Sequence, residues 1–310
     1  MRILQPGVLS LLQDSGRQGQ HRLGLSNGGP LDREAFHYCN RLLQNSAAST
    51  VIEISVGGLT LETKVDTYIC LTGANMPISI NGEQKLMWEV HRVCAGDIIQ
   101  VGFARSGYRG YLGVADGFTI KASFGSTATV VRENIGGLRG TSLQTEDELP
   151  CRAVTRRKYY YLPVKDQPRY QNTLTVRVIP GYQQHHFNRV EKRRFFSSAY
   201  TVSERCDRMG YRLKGPVIKC DIDGVLSEGI CFGAIQLPPD GQPIVLLNDR
   251  QTIGGYPKIG AALSLDAARM AQLAPGNSIH FAPITHHTAQ KALHLAQRFS
   301  LLKPLQERTS

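Results

Sequence analysis

The stretch VIEISVGGLTLE, residues 51–62, sets two short apolar runs on either side of the pair Gly57–Gly58. Runs of this length bounded by glycine read as β-strands joined by a turn, because glycine reaches backbone angles closed to other residues. Working outward, the same signal recurs in YICLTGA, ISINGE, GDIIQVGF and YLGVADGF between residues 50 and 150. Many short strands at such spacing argue for a barrel or a sandwich. The expected class is mainly β.

The totals agree with that reading. The chain has 310 residues, 41% hydrophobic and 20% charged, with 31 glycines. It is about twice the usual single-domain length, so two packed cores are expected. No run approaches the roughly 18 apolar residues of a membrane span, and Met1-Arg2 leads into strand-like sequence without a signal-peptide core. A cytoplasmic protein with no membrane partner is expected. Seven cysteines at 39, 70, 94, 151, 206, 220 and 231 include no C-x-x-C pair, which supports neither a disulfide framework nor a zinc site. The net charge of +11 invites a nucleic-acid reading. Much of the excess, however, sits in RRK at 156–158 and EKRR at 191–194, outside any nucleic-acid module. No nucleic-acid partner is expected; a solvated surface or an acidic protein partner accounts for the charge.

Other segments place the remaining elements. In GGPLDREAFHYCNRLLQN, residues Leu31, Ala35, Cys39, Leu42 and Leu43 recur at helical spacing. Asp32 is placed to accept from free N–H groups of the first turn, and Glu34 suits the positive end of the helix dipole. CRAVTRRKYYYLPVKDQPRYQN, residues 151–172, is basic, aromatic and broken by proline, and reads as a linker. Two domains follow, 1–165 and 166–310, the second with a C-terminal helix. Within the second, GAIQL and PIVLL flank PPDGQ, a hairpin in which proline presets φ and glycine permits the turn. Ser264 and Thr285 open two helices. AGDIIQVG and PGNSIHFA echo each other across the two halves.

The common catalytic motifs are missing. There is no G-x-x-x-x-G-K-[ST] loop, and GYRGYLG at 107–113 has the wrong spacing for a dinucleotide fingerprint. The doublets His185–His186 and His286–His287 diverge on any regular element, so no metal site is expected. The densest polar stretch is NDRQTIGGYPKIG, residues 248–260, longer than a connection needs. There Asp249 can accept an N–H, Arg250 and Lys258 can hold a carboxylate or phosphate, and Gly254–Gly255 let backbone N–H groups approach a ligand. Gln251, Thr252 and Tyr256 complete the stretch, with Pro257 stiffening the wall beside Tyr256. A tight turn with solvated charges explains it equally well. Further candidates are Asp207 and Arg208 in ERCDRMGYRL, and Ser227, Glu228 and Gln236 in LSEGICFGAIQ, where a buried Gln236 would need a hydrogen-bond partner. Ser26, Gly28 and Gly29 form a helix-entry loop where an anion can sit.

PGVLSLLQDSGRQG, GLSNGGPLD, LTGAN, RGYLGVADGF, GGLRG, RCDRMGYRL, LSEG, GAIQLPPDGQPIVLLNDRQTIGGYPKI and PGNSIHF occur in an order that resembles the biotin-dependent carboxyltransferase family, also described as allophanate hydrolase subunit 2. Within it the chain is similar to the C subunits of bacterial 5-oxoprolinases. The resemblance implies two cyclophilin-like β-barrel domains with a few short helices. It also implies partner subunits A and B, with which ATP-dependent cleavage of 5-oxoproline to glutamate takes place. ATP would be used by the complex. Biotin, handled by the urea carboxylase relatives, would arrive from elsewhere, because no A/V-M-K-M segment is present. Asp249 would take the lactam N–H while Lys258, Arg250 or the N–H groups near Gly254 and Gly255 polarise the carbonyl, leaving the carboxylate in need of a remaining cation. Ala128 stands where the family has a hydroxyl residue, and Asp116 where it has glycine. A regulatory protein that antagonises a kinase inhibitor, or a carboxyltransferase-like module for biotin or urea, are the alternatives; fold alone does not supply prolyl-isomerase activity.

Overall fold

The computed structural model describes residues 1–308. The chain divides into two compact units. One comprises Met1–Gly19, Asn27–Tyr170 and residues 303–308; the other comprises Gln20–Ser26 and Gln171–Leu302.

The first unit contains β1 (Arg2–Pro6), β2 (Leu9–Gln13), β3 (Val51–Ser55), β4 (Leu59–Glu62), β5 (Thr67–Asn75), β6 (Ile78–Ile80), β7 (Glu83–Lys85), β8 (Val90–Val93), β9 (Ile98–Val101) and β10 (Ser106–Val114). They form two five-stranded antiparallel sheets, β1-β4-β9-β6-β7 and β2-β3-β10-β5-β8. Gly57–Gly58 moves the chain from β3 in one sheet to β4 in the other. Gly57 has φ +122°, and a Cβ there would lie 2.3 Å from the Gly102 carbonyl oxygen, so no larger residue fits. Ile52, Ile54, Leu59 and Leu61 from the two strands join Ile3, Leu12, Ile69 and Ile99 in one core. Each such side chain contributes about 1.5–3 kcal/mol by leaving water. Helix α1 (Arg33–Leu42) lays Ala35, Phe36, Cys39 and Leu42 against Tyr68, Trp88 and Tyr111 in a second core. Its cap is the expected one: Ala35 N–H donates to Asp32 Oδ1 at 3.0 Å. The segment read as a linker carries a short strand, β11 (Tyr160–Tyr161), and a 3-10 turn at Val164–Asp166.

The second unit is built on a closed seven-stranded barrel. Its strands are β12 (Thr173–Pro180), β13 (Ala199–Cys206), β14 (Gly210–Lys214), β16 (Ala234–Gln236), β17 (Ile244–Leu246), β19 (Lys258–Ala262) and β20 (Ser278–Pro283), in the order β12-β19-β16-β17-β14-β13-β20. Outside it, β15 (Glu228–Gly229) pairs with β18 (Ile253–Gly254) as a two-stranded ribbon. The β16–β17 hairpin turns at Pro238–Gly241, where Gly241 has φ +68° and its N–H donates to Pro238 O at 2.8 Å. Helix α2 (Arg189–Ser197) is capped by Asn188 and sends Phe195 onto Phe281 of the barrel, ring centroids 4.5 Å apart. Helix α3 (Ser264–Met270) buries Asp266, which accepts both Nε and Nη2 of Arg177. Helix α4 (His286–Leu302) follows β20 and ends this unit; β21 (Gln306–Glu307) belongs to the first unit, where it pairs with β11. No helix among the described residues is long and apolar enough to cross a membrane.

Candidate functional site

The 248–260 stretch leaves the barrel at the end of β17 and re-enters it at β19, and its side chains separate into two groups. Asp249 takes the first. Both its oxygens accept from Arg208, Nε at 2.8 Å and Nη2 at 2.9 Å, with both side chains nearly out of water. A bidentate guanidinium–carboxylate pair of this kind fixes both planes. Its components would be costly to separate, about 3–5 kcal/mol for a buried pair. The pair therefore staples the turn after β13 to the end of β17. Asp207 does not join it: its Oδ1 receives the N–H groups of Met209 and Gly210 and shapes that turn. The Arg250 guanidinium donates to the carbonyls of Ile230 and Leu247, while its own carbonyl receives the Ser26 hydroxyl at 2.9 Å. Arg250 and Ser26 thus bind backbone.

Lys258 takes the second group. Gln236 and Lys258 are paired residues of β16 and β19. The register shifts between Ile235↔Gly260 and Gln236↔Lys258, leaving Ile259 as the extra residue of a bulge. Bulges of this kind re-aim a side chain. The Lys258 ammonium lies on the Glu228 carboxylate of the β15–β18 ribbon, side-chain exposures 12% and 31%. Glu228 also accepts from the Tyr182 hydroxyl, and from Gln183 Nε2 at 2.9 Å. Gln183, on the 3-10 turn Tyr182–His186, is oriented from its other end: its Oε1 accepts the Lys258 backbone N–H at 2.8 Å. The hydrogen bond from Lys258, then that from Tyr182, holds the Glu228 carboxyl below the usual range. The same carboxylate raises the Tyr182 phenol.

Two features of this cluster suit a ligand. Gln236 is 1% exposed, yet among the described residues its Nε2 has no hydrogen-bond partner. A buried amide N–H left unpaired costs about 1–3 kcal/mol, so such a group marks a place where an acceptor is missing. Beside it runs bare backbone. A Cβ on Gly254 would meet Gln236 Nε2 at 3.1 Å and Ile230 Cδ1 at 2.5 Å. Gly255 closes the ribbon, its carbonyl accepting Val225 N–H at 2.8 Å, and a Cβ there would stand 3.5 Å from Ser227 Oγ. Thr252 O accepts Ile230 N–H, so Thr252 serves the ribbon through its backbone. Gln251 Nε2 would lie 3.4 Å from a Gly254 Cβ, next to the cluster. Tyr256 is exposed.

The glycine loop of the first unit has its own internal partners. Gly28 and Gly29 both have positive φ. The N–H groups of Gly29, Leu31 and Asp32 go to Gln13, Glu53 and the Tyr111 hydroxyl. Close in sequence, Asp14 collects Ser126 Oγ, Thr127 N–H and Gly16 N–H. Arg17 reaches the carbonyls of Ser123 and Ala128. Asp14 and Arg17 lie in the QDSGRQG run, whose only visible signal was a polar cluster at a strand end.

A family model for the carboxyltransferase domain, subdomain A and B, matches residues 23–283. The chain belongs to this carboxyltransferase family. It is 35% identical over 302 residues to the 5-oxoprolinase C subunit of Escherichia coli, covering 96% of each chain. It is 33% identical over 292 residues to the Haemophilus influenzae protein of the same name, covering 93% of each. The solved structure of urea amidolyase from Kluyveromyces lactis superposes with a TM-score of 0.89 at 24% identity, over 96% of this chain but 19% of that one, which establishes a shared fold. Within this carboxyltransferase-family chain, the residues that sequence reasoning passed over are Tyr182 and Gln183. They follow β12 directly in PGYQQHH, and polar residues crowded at a strand end were the available sign.

Proposed function

We propose that this chain is the C subunit of an ATP-dependent 5-oxoprolinase, which acts with subunits A and B to hydrolyse 5-oxo-L-proline to L-glutamate. The observation that carries the reading is the end-to-end match to two proteins named as 5-oxoprolinase C subunits, against a match to only a fifth of the urea amidolyase. The chain's contribution is the Lys258–Gln236 cluster, which pairs a cation and an amide donor and so suits a small ring bearing amide and carboxylate oxygens. Asp249 and Arg208 hold that cluster's framework through their ion pair.

ATP hydrolysis would drive the opening of an unstrained amide. No residue of this chain is assigned to ATP, since the N–H groups of Gly29, Leu31 and Asp32 are already donated within the protein. Biotin likewise receives no residue here. The function is tested by mixing the three purified subunits and following ATP-dependent glutamate release from 5-oxo-L-proline. Lys258→Ala should lower kcat/KM at least tenfold while the complex still assembles. An assembled Lys258→Ala complex with full turnover would reject the site. A parent complex without glutamate release, with the chain instead binding a kinase inhibitor, would make it a regulatory protein.

A further inference from the structure

The cluster around Lys258 is asymmetric. Lys258 is anchored in the closed barrel, and its backbone N–H is held by Gln183. Glu228 sits outside the barrel on a strand of two residues, close to Leu226, which is 93% exposed. The ribbon is tied to the barrel at its Ile230 end, where Ile230 packs with Ala234, Ile244 and Leu246 and its carbonyl accepts Arg250 Nε at 3.0 Å; before that it is held by the β15–β18 pairing and the bonds Val225 N–H to Gly255 O and Ile230 N–H to Thr252 O. A nearly buried cation on a barrel strand is thus matched by a half-exposed carboxylate on a two-residue strand outside the barrel.

Electrostatics adds a constraint. A nearly buried ammonium without a counter-charge is strongly unfavourable, and among the described residues Glu228 is the ion-pair partner of Lys258. Any departure of Glu228 must therefore be matched by the arrival of another anion. The donors around Glu228 are those a free carboxylate would use: the ammonium, the Tyr182 hydroxyl and Gln183 Nε2. The guanidinium groups of the same unit that could have served this task are engaged elsewhere, Arg208 on Asp249 and Arg250 on backbone carbonyls.

We propose that Lys258, Tyr182 and Gln183 form the subsite for the substrate's carboxylate, and that Glu228 is an internal stand-in which the substrate displaces. The proposal rests on the 5-oxoprolinase reading for the identity of that substrate. The neighbouring unpaired Gln236 amide then faces the ring, so the two groups read the carboxylate and the lactam oxygen separately. Because the free chain is partly self-occupied, its apparent affinity is reduced by the fraction in which Glu228 holds the subsite. The subsite also gives specificity. An anionic lactam can replace Glu228, whereas a neutral amide cannot compensate Lys258.

The test compares 5-oxo-L-proline with 5-oxo-L-prolinamide, in which the carboxylate becomes a neutral amide, by calorimetric titration of the full chain and of the three-subunit complex. Glu228→Gln should tighten 5-oxo-L-proline by about three- to tenfold and leave the prolinamide unchanged. Lys258→Met should erase the preference for the acid over the amide. Tyr182→Phe, at an exposed position where folding is not at stake, removes a donor to the substrate carboxylate and should weaken the acid, by less than Lys258→Met does, while leaving the prolinamide unchanged. Weaker binding of the acid in Glu228→Gln, tighter binding of the acid in Tyr182→Phe, or an equal loss of both ligands in Lys258→Met, overturns the proposal. Glutamate release by the parent complex is measured alongside. Turnover without charge discrimination sinks the subsite alone, and no turnover sinks the assigned function.

Discussion

Gln236 carries a side-chain N–H group, Nε2, with no hydrogen-bond partner among the described residues, in a strand otherwise filled by Ala234 and Ile235. Apolar packing would serve the barrel better, so the polar side chain is a cost to folding. Gln236→Met keeps the length and removes the unsatisfied donor. It should raise stability by about 1 kcal/mol in chemical denaturation, while raising KM for 5-oxo-L-proline in the reconstituted complex. A variant both less stable and fully active would show that the amide has a structural partner. Asp116 shows the opposite economy: at φ +63° it occupies backbone that glycine enters freely, and asparagine and aspartate are among the few other residues that do so at small cost.

At the level of elements, the β15–β18 ribbon holds the interest. It bonds through few backbone groups, and the Glu228 contacts to Lys258, Tyr182 and Gln183 supplement them. Glu228 has a folded-state pKa below its unfolded value, first because of Lys258. The folded chain then binds fewer protons, so this stabilisation is present above the ordinary carboxylate pKa and is lost as pH falls through the depressed one. Between about pH 5 and pH 3 the parent should lose more stability than Glu228→Gln, measured as the unfolding midpoint across that range. Parallel acid limbs would show that Glu228 contributes nothing to holding the ribbon.

For the molecule as a whole, 36 basic residues face 25 acidic ones. Part of the basic run at 156–158 is neutralised locally, Arg157 by Asp116 and Lys158 by Glu307, and Arg194 by Glu191. The excess that remains favours association with acidic protein surfaces, and such attraction is screened over a Debye length of about 8–10 Å at ordinary salt. Binding to the other 5-oxoprolinase subunits should therefore weaken as salt rises from about 0.05 to 0.5 M, chiefly through a slower association rate. A salt-independent rate would assign the charge to solubility instead.

Local patterns announced much of the architecture. Alternating apolar runs split by glycine gave the strands, Asp32 before a helical stripe gave the cap of α1, and Pro-Pro-Asp-Gly gave the hairpin, because each depends on residues close together in the chain. The family membership was legible for a related reason, as ordered short blocks such as NDRQTIGGYPKI survive as text. The partners of charges were not legible. Asp249 looked free to greet a ligand until the turn after β13 brought Arg208 onto it, and Glu228 met Lys258 only because the ribbon folds over the barrel wall. An ion pair depends on distance in space, and that distance is decided by barrel closure and strand register: the bulge at Ile259 sets Lys258 opposite Gln236.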